Sequence, residues 1–159
     1  MSKIKIAITD TVFPDLNPTK KALSDIDTEI SFSTNSSPEE ILKVASDAEA
    51  VFVTYAKITS EIISGLNKCK VIGRFGIGVD NIDVSAATEA GIVVTYVPNY
   101  CFDEVSDHAM SMLLAFNRKI IFSNTLVQSG RWEMKAVAPL NRLRDQTLGL
   151  VGFGNIPQL

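Results

Sequence analysis

The chain has 159 residues, 46% of them hydrophobic and 21% charged, with a formal net charge of −3. That is folded globular chemistry, enough for one compact domain with additional elements, and its mild acidity with scattered Lys and Arg argues against nucleic acid or an anionic membrane as a partner. No apolar run reaches the ~20 residues that a membrane-spanning helix needs, and the start Met1-Ser2-Lys3-Ile4-Lys5 is too charged for a secretory segment. Cys69 and Cys101 are the two cysteines. Neither has metal-ligand spacing, so no metal site is expected, and reduced thiols in a cytoplasmic protein are.

In chain order, β-rich runs alternate with helical patterns up to about residue 98. Strands are predicted at Ile4–Thr9, Glu29–Ser33, Ala50–Tyr55, Val71–Phe75 and Ile92–Val97. Their interiors are mostly apolar and often β-branched, which suits strands covered on both faces of a parallel sheet. Asn17-Pro18 and the capping box Ser37-Pro38-Glu39-Glu40 predict the starts of two helices. Thr59 caps a third, and Asp83 a fourth over Val84–Ala90 that Gly91 ends. This alternation predicts an open, doubly wound α/β sheet.

After Pro98 the apolar spacing of Val105, Ala109, Met112, Leu113, Phe116 and Ile120 predicts one long helix, capped by Asp103 and running to about Ser129. Arg131–Asp145, with Pro139 in it, reads as a connector with at most one helical turn. A strand at Gln146–Val151 is then expected to lead into Gly152-Phe153-Gly154-Asn155-Ile156-Pro157. Gly-x-Gly after a strand suits a turn that hands a pyrophosphate to a helix N-terminus.

Ligands of open α/β sheets bind outside the carboxyl ends of the strands. Those ends are Asp10-Thr11, Tyr55-Ala56-Lys57, Arg74–Asp80 and Pro98–Cys101. Arg74-Phe75-Gly76-Ile77-Gly78-Val79-Asp80 sets two glycines beside a guanidinium where a strand ends. Glycines admit an anion to backbone N–H groups, and Arg offers a fork matched to a carboxylate. The same spacing also fits a tight turn with an arginine ion pair. Asp80 and Asp83 read as turn and cap residues, Arg142 and Arg144 as a solvated connector, and His108 as a helix-surface histidine.

The blocks Arg74–Asp83, Val97-Pro98-Asn99-Tyr100, Asp103-Glu104-Val105-Ser106-Asp107-His108-Ala109 and Gly152-x-Gly154-x-Ile156 together resemble the D-isomer-specific 2-hydroxyacid dehydrogenases. The similar branch holds phosphoglycerate dehydrogenases, glyoxylate reductases and the C-terminal-binding-protein corepressors, and the likeness runs over essentially the whole chain. It implies a flavodoxin-like substrate domain over residues 1–98. Residues 99–159 would be the interdomain helix and the first elements of a Rossmann NAD-binding domain. Ile77 and Gly78 would offer amides to a substrate carboxylate, with Arg74 lining the pocket and Tyr55 or Ala56 flanking it. Gly152, Gly154, Asn155 and Ile156 would hold the pyrophosphate of NAD or NADP.

Two departures stand out. Pro157 takes the slot of the third fingerprint glycine, which is tolerable in a first helical turn. The Arg, Glu and acid–base His that the family uses for hydride transfer all follow the fingerprint, so no catalytic residue is expected within these 159 residues, and His108 is not a substitute. The chain is therefore expected to be the front half of an oxidoreductase for small 2-hydroxy or 2-oxo acids, inactive by itself and associating as a homodimer. The alternative within the same fold is a dinucleotide-sensing, corepressor-like binding protein. A receiver domain fails for lack of an acidic cluster, and a flavodoxin for lack of a phosphate loop after the first strand.

Overall fold

The computed structural model describes residues 3–159. Two compact units are present, one ending at Tyr100 and one spanning Cys101–Leu159, and each has its own architecture.

The first unit contains β1 (Ile4–Ile8), α1 (Asn17–Ala22), β2 (Thr28–Phe32), α2 (Pro38–Ala45), β3 (Ala50–Val53), α3 (Ser60–Ser64), β4 (Val71–Arg74), α4 (Val84–Glu89) and β5 (Val93–Thr95). All strand pairs are parallel, in the order β2-β1-β3-β4-β5. This is the flavodoxin-like doubly wound order, whose switch point lies between β1 and β3. The predicted α/β sheet is thus the observed one. Four of the five strands are one to three residues shorter than predicted, and β2 starts and ends one residue earlier.

Parallel strands need both faces covered, and the central ones are. Ala7, Val51, Val53 and Ile72 are essentially inaccessible and pack with Ile41 and Ala45 of α2, Ile62 of α3 and Ala87 of α4. The edge strand β5 keeps Val93 exposed. The start of α4 is capped as predicted: the Asp83 carboxylate accepts from the Ala86 N–H at 3.0 Å, and Gly91, at φ 71°, takes the left-handed conformation just past its end.

Two predicted caps differ. Asn17 lies inside α1, and its N–H is held by the Asp15 carboxylate at 2.8 Å. The capping box of α2 is only half formed: Ser37 Oγ accepts from Glu40 N–H at 3.4 Å, while the Ser37 N–H goes to Asn35 Oδ1. The Glu40 carboxylate is taken instead by Thr34 and Lys43, which hold its pKa below the usual carboxylate range.

The second unit contains α5 (Phe102–Asn117), α6 (Ile120–Gln128) and α7 (Met134–Val137), with short 3-10 turns at Leu143–Asp145 and Ile156–Gln158. The single long helix predicted from Asp103 is two helices. Lys119 sits at φ 49° between them, and Lys119 N–H closes a tight turn onto Phe116 C=O at 3.1 Å. The apolar run Ile120-Ile121-Phe122 breaks the 3.6-residue period at that point, so a continued helix would gain no single apolar face. Asp103 is not the cap; Cys101 is, without a side-chain bond, and Asp103 and Glu104 lie in the first turn. The strand expected at Gln146–Val151 is not formed either. A strand is held only by neighbours, none pairs with it among the described residues, and Leu148, Leu150 and Val151 are exposed.

Ile41→Ala, at a fully buried position, is expected to cost about 2–5 kcal/mol by analogy with other Ile→Ala core truncations. Asp83→Ala should cost about 1 kcal/mol through the lost cap. Urea unfolding of each variant measures both.

Candidate functional site

Five segments leave the carboxyl ends of the first unit's strands, and polar side chains tie those after β1, β3 and β4 together. Asp10 follows β1. Its carboxylate accepts from the backbone N–H of Thr54 at 3.0 Å and of Tyr55 at 2.6 Å, and from the Thr9 hydroxyl at 2.9 Å. The Thr54 hydroxyl returns a bond to the Asp10 carbonyl at 3.2 Å. The loop after β3 is therefore fastened at its start, across the switch point. Its other side is fastened by Asn81, whose side-chain amide donates to the Ala56 carbonyl at 2.9 Å. Asn81 C=O also accepts from Ile58 N–H at 2.8 Å, beside the Ile58–Ile82 bridge. Ala56 is buried by this bracket, and Tyr55 projects with 67% of its surface exposed.

The loop after β4 begins as an extension of the sheet. Phe75 N–H donates to Val53 C=O at 2.8 Å, and Gly76 C=O accepts from Val97 N–H at 3.0 Å. The chain then turns, and the N–H groups of Ile77 and Gly78 donate to no acceptor among the described residues. Arg74 folds back over this turn: the position of a Cβ on Gly76 would lie 1.5 Å from Arg74 Nη1. Arg74 joins none of the ion pairs among the described residues, and its Nε is buried without a hydrogen-bond partner. The ion-pair reading of this arginine is thereby set aside. Two unengaged amides and an unpaired guanidinium share this turn, and the Asp80 carboxylate stands at its rim, its Oδ2 3.2 Å from where a Cβ on Gly78 would lie.

Of the residues singled out in the sequence, Arg74, Ile77 and Gly78 share this turn, and Tyr55 and Ala56 lie in the loop that Asn81 ties to it. Asp10 and Asn81, which do the tying, had no role assigned from the sequence. A usable signal existed, since Asp and Asn side chains readily bond nearby backbone groups where a strand gives way to a loop.

Gly152, Gly154, Asn155 and Ile156 belong to the second unit. Gly152 has φ 94°, a conformation that favours glycine, and a Cβ at either glycine would meet nothing within 4 Å. The amides of Phe153 to Ile156 donate to no acceptor among the described residues. The turn is open, and its backbone donors are unengaged. No cluster of three or more His, Cys, Asp or Glu able to hold a metal occurs among the described residues, and none of their helices is long and apolar enough to cross a membrane.

The fold is a doubly wound α/β module with unengaged amides and a guanidinium in the turn after β4. The profile of the D-isomer specific 2-hydroxyacid dehydrogenase catalytic domain matches residues 6–148. The chain belongs to that family. It is 36% identical over 156 residues to a D-3-phosphoglycerate dehydrogenase of Methanocaldococcus jannaschii, covering 98% of this chain and 29% of that protein. It is 34% identical to a hydroxypyruvate reductase of Thermotoga maritima, covering 99% of this chain and 51% of that one. Among solved structures, D-lactate dehydrogenase of Aquifex aeolicus complexed with NAD and lactic acid superimposes with a TM-score of 0.84 at 25% identity, over 96% of this chain and 46% of that one. An NADPH-dependent glyoxylate/hydroxypyruvate reductase of Sinorhizobium meliloti gives 0.81 at 27%, over 99% and 49%. The chain thus spans about half or less of the length of these relatives.

Removing the Asp10 carboxylate leaves two backbone donors without their acceptor. Asp10→Ala is expected to destabilise the first unit by about 1–3 kcal/mol and to speed hydrogen exchange of the Thr54 and Tyr55 amides at least tenfold. Unchanged exchange at both would show that the bracket does not hold the loop.

Proposed function

We propose that this chain provides the acid-holding part of an NAD(P)-dependent oxidoreductase that passes hydride between the nicotinamide and C2 of a small D-2-hydroxy or 2-oxo acid. The observation that carries this reading is the pair of unengaged amides at Ile77 and Gly78 beneath an unpaired Arg74 guanidinium. The substrate carboxylate accepts from both amides and from the guanidinium fork, which fixes the acid by the end that does not react. Tyr55 and Ala56, held by Asp10 and Asn81, flank the acid and limit its length. The relatives named for D-3-phosphoglycerate, hydroxypyruvate, glyoxylate and lactate support a substrate of this class.

Residues 1–98 would be the substrate domain, and 99–159 the interdomain helix and opening of the nucleotide domain. NAD(P), when bound, supplies or accepts the hydride, and Gly152, Gly154, Asn155 and Ile156 would hold its pyrophosphate through backbone donors. Asp10 already accepts three hydrogen bonds from the protein itself, and its role in this reading is to position the loop after β3. Binding without turnover is the expected behaviour of the 159 residues alone. With its free thiols Cys69 and Cys101, we place the protein in the cytoplasm.

Glycolate added to the 15N-labelled chain is expected to shift the Ile77 and Gly78 amide resonances, and Arg74→Ala to weaken that binding about tenfold, the loss of one charged hydrogen-bonded contact. Resonances that ignore glycolate would end the reading. Mixed with NADH and glyoxylate, the chain should not oxidise NADH measurably. A steady fall in absorbance at 340 nm would place an acid–base group within these residues.

The second unit exposes Met112, Phe116, Ile121 and Phe122 along one apolar groove of about 860 Å³. Exposed apolar surface of this kind favours association, and we propose a second copy of the chain as its partner. Sedimentation velocity should show a dimer that dissociates on dilution; a monomer at every concentration would refute it.

A further inference from the structure

We infer that Gly76 is a positioning residue: the side chain it lacks is the seat of the Arg74 guanidinium. The usual reason for a glycine in a turn does not apply here. The described residues at positive φ are Lys119, Gly91, Gly130 and Gly152, so the backbone at 76 is one that any residue adopts. The space above it is what excludes a side chain. A Cβ there would stand 1.5 Å from Arg74 Nη1 and 2.4 Å from Arg74 Cζ, far inside any tolerable contact.

The backbone cannot yield to make room. Gly76 N–H donates to Arg74 C=O at 2.9 Å, and Gly76 C=O accepts from Val97 N–H at 3.0 Å. The peptides on either side of the Cα are thus held by β4 and by the chain leaving β5. The guanidinium is the only partner able to move, because it ends a flexible side chain with no hydrogen-bond or ion-pair partner of its own. One methyl group at position 76 therefore evicts the charge from the turn while leaving the Ile77 and Gly78 amides in place.

The orphaned Nε gives this seat a purpose. A buried donor without a partner costs free energy. Arg74 nevertheless keeps its Nε buried over Gly76 rather than swinging out to water. The anion role of that seat rests on the carboxylate pocket proposed above, whereas the seat itself rests on sterics alone.

The test uses the whole 159-residue chain and two readouts. The Arg74 Nε–H resonance, assigned by its disappearance in Arg74→Ala, is expected to exchange slowly with solvent and to exchange at least tenfold faster in Gly76→Ala. Glycolate affinity should fall about tenfold in Gly76→Ala and in Arg74→Ala, and the double variant should bind no more weakly than Arg74→Ala. Equal Nε–H protection in wild type and Gly76→Ala overturns the inference, as does a further loss of affinity when Gly76→Ala is added to Arg74→Ala. Should Gly76→Ala fail to fold, a folded double variant supports the seat, and an unfolded one shows that the glycine serves the backbone and overturns it. A wild type that ignores glycolate, with its Nε–H protected and then released by Gly76→Ala, keeps the seat and discards the carboxylate reading.

Discussion

The loops at the carboxyl ends of the central strands depend on one carboxylate, that of Asp10. Asp10 stands at the end of β1, where the winding of the sheet reverses and the loops on its two sides would otherwise part. By accepting the N–H groups of Thr54 and Tyr55, it supplies internally the negative charge that such a crevice attracts, and so fills one cluster of donors with the protein's own anion. The donors left open are those one strand further along, at Ile77 and Gly78. Fixing the first loop and leaving the second receptive are consequences of one interaction.

Asn81 completes this arrangement from the opposite side. Its side chain reaches Ala56 C=O and its backbone receives Ile58 N–H, so the loops after β3 and β4 form one piece. A pocket made of backbone donors has little strength unless the peptides are held still, since each donor must be aimed before the ligand arrives. Hydrogen bonds to Asp10 and Asn81 do this without placing any side chain in the cavity. Arg74 then contributes charge from a seat cut into the backbone at Gly76, and its reach is set by sterics rather than by an ion pair.

The architecture was legible in the sequence because it is written in periodic apolar runs. Ile4–Ile8, Ala50–Val53 and Val71–Arg74 are mostly apolar, with Ile6 to Ile8, Val51, Val53 and Ile72 nearly inaccessible, so their composition marks them as parallel strands. The turn after β4 was legible as a turn, because its glycines follow a strand, while the spacing alone left an anion site and an arginine ion pair both open. What stayed hidden lies in long-range polar contacts. Nothing near Asp10 in the chain points to residues 54 and 55, which are 44 and 45 positions away. The helix after Tyr100 misled because Val105 to Phe116 keep one phase and Ile120-Ile121-Phe122 do not, and a spacing rule averages across the break. The strand at Gln146–Val151 misled because apolar content is necessary for a strand but pairing makes one.

That last difference separates two turns that read alike. Both set glycines after an apolar run, and both present amides with no acceptor. The turn at Ile77 and Gly78 grows out of a strand paired on both sides, with Phe75 bonded to Val53 and Gly76 to Val97, and it has a buried core behind it. The turn at Gly152 follows residues that pair with nothing among those described and whose side chains are exposed. Donors pre-aimed by a sheet bind an anion without first losing conformational entropy, whereas donors on an unpaired segment must be ordered as the ligand arrives, which subtracts from affinity. Within these residues the donors at Ile77 and Gly78 are therefore the ones already held in place. The glycine turn presents open amides too, but among the described residues no neighbouring strand holds them in line.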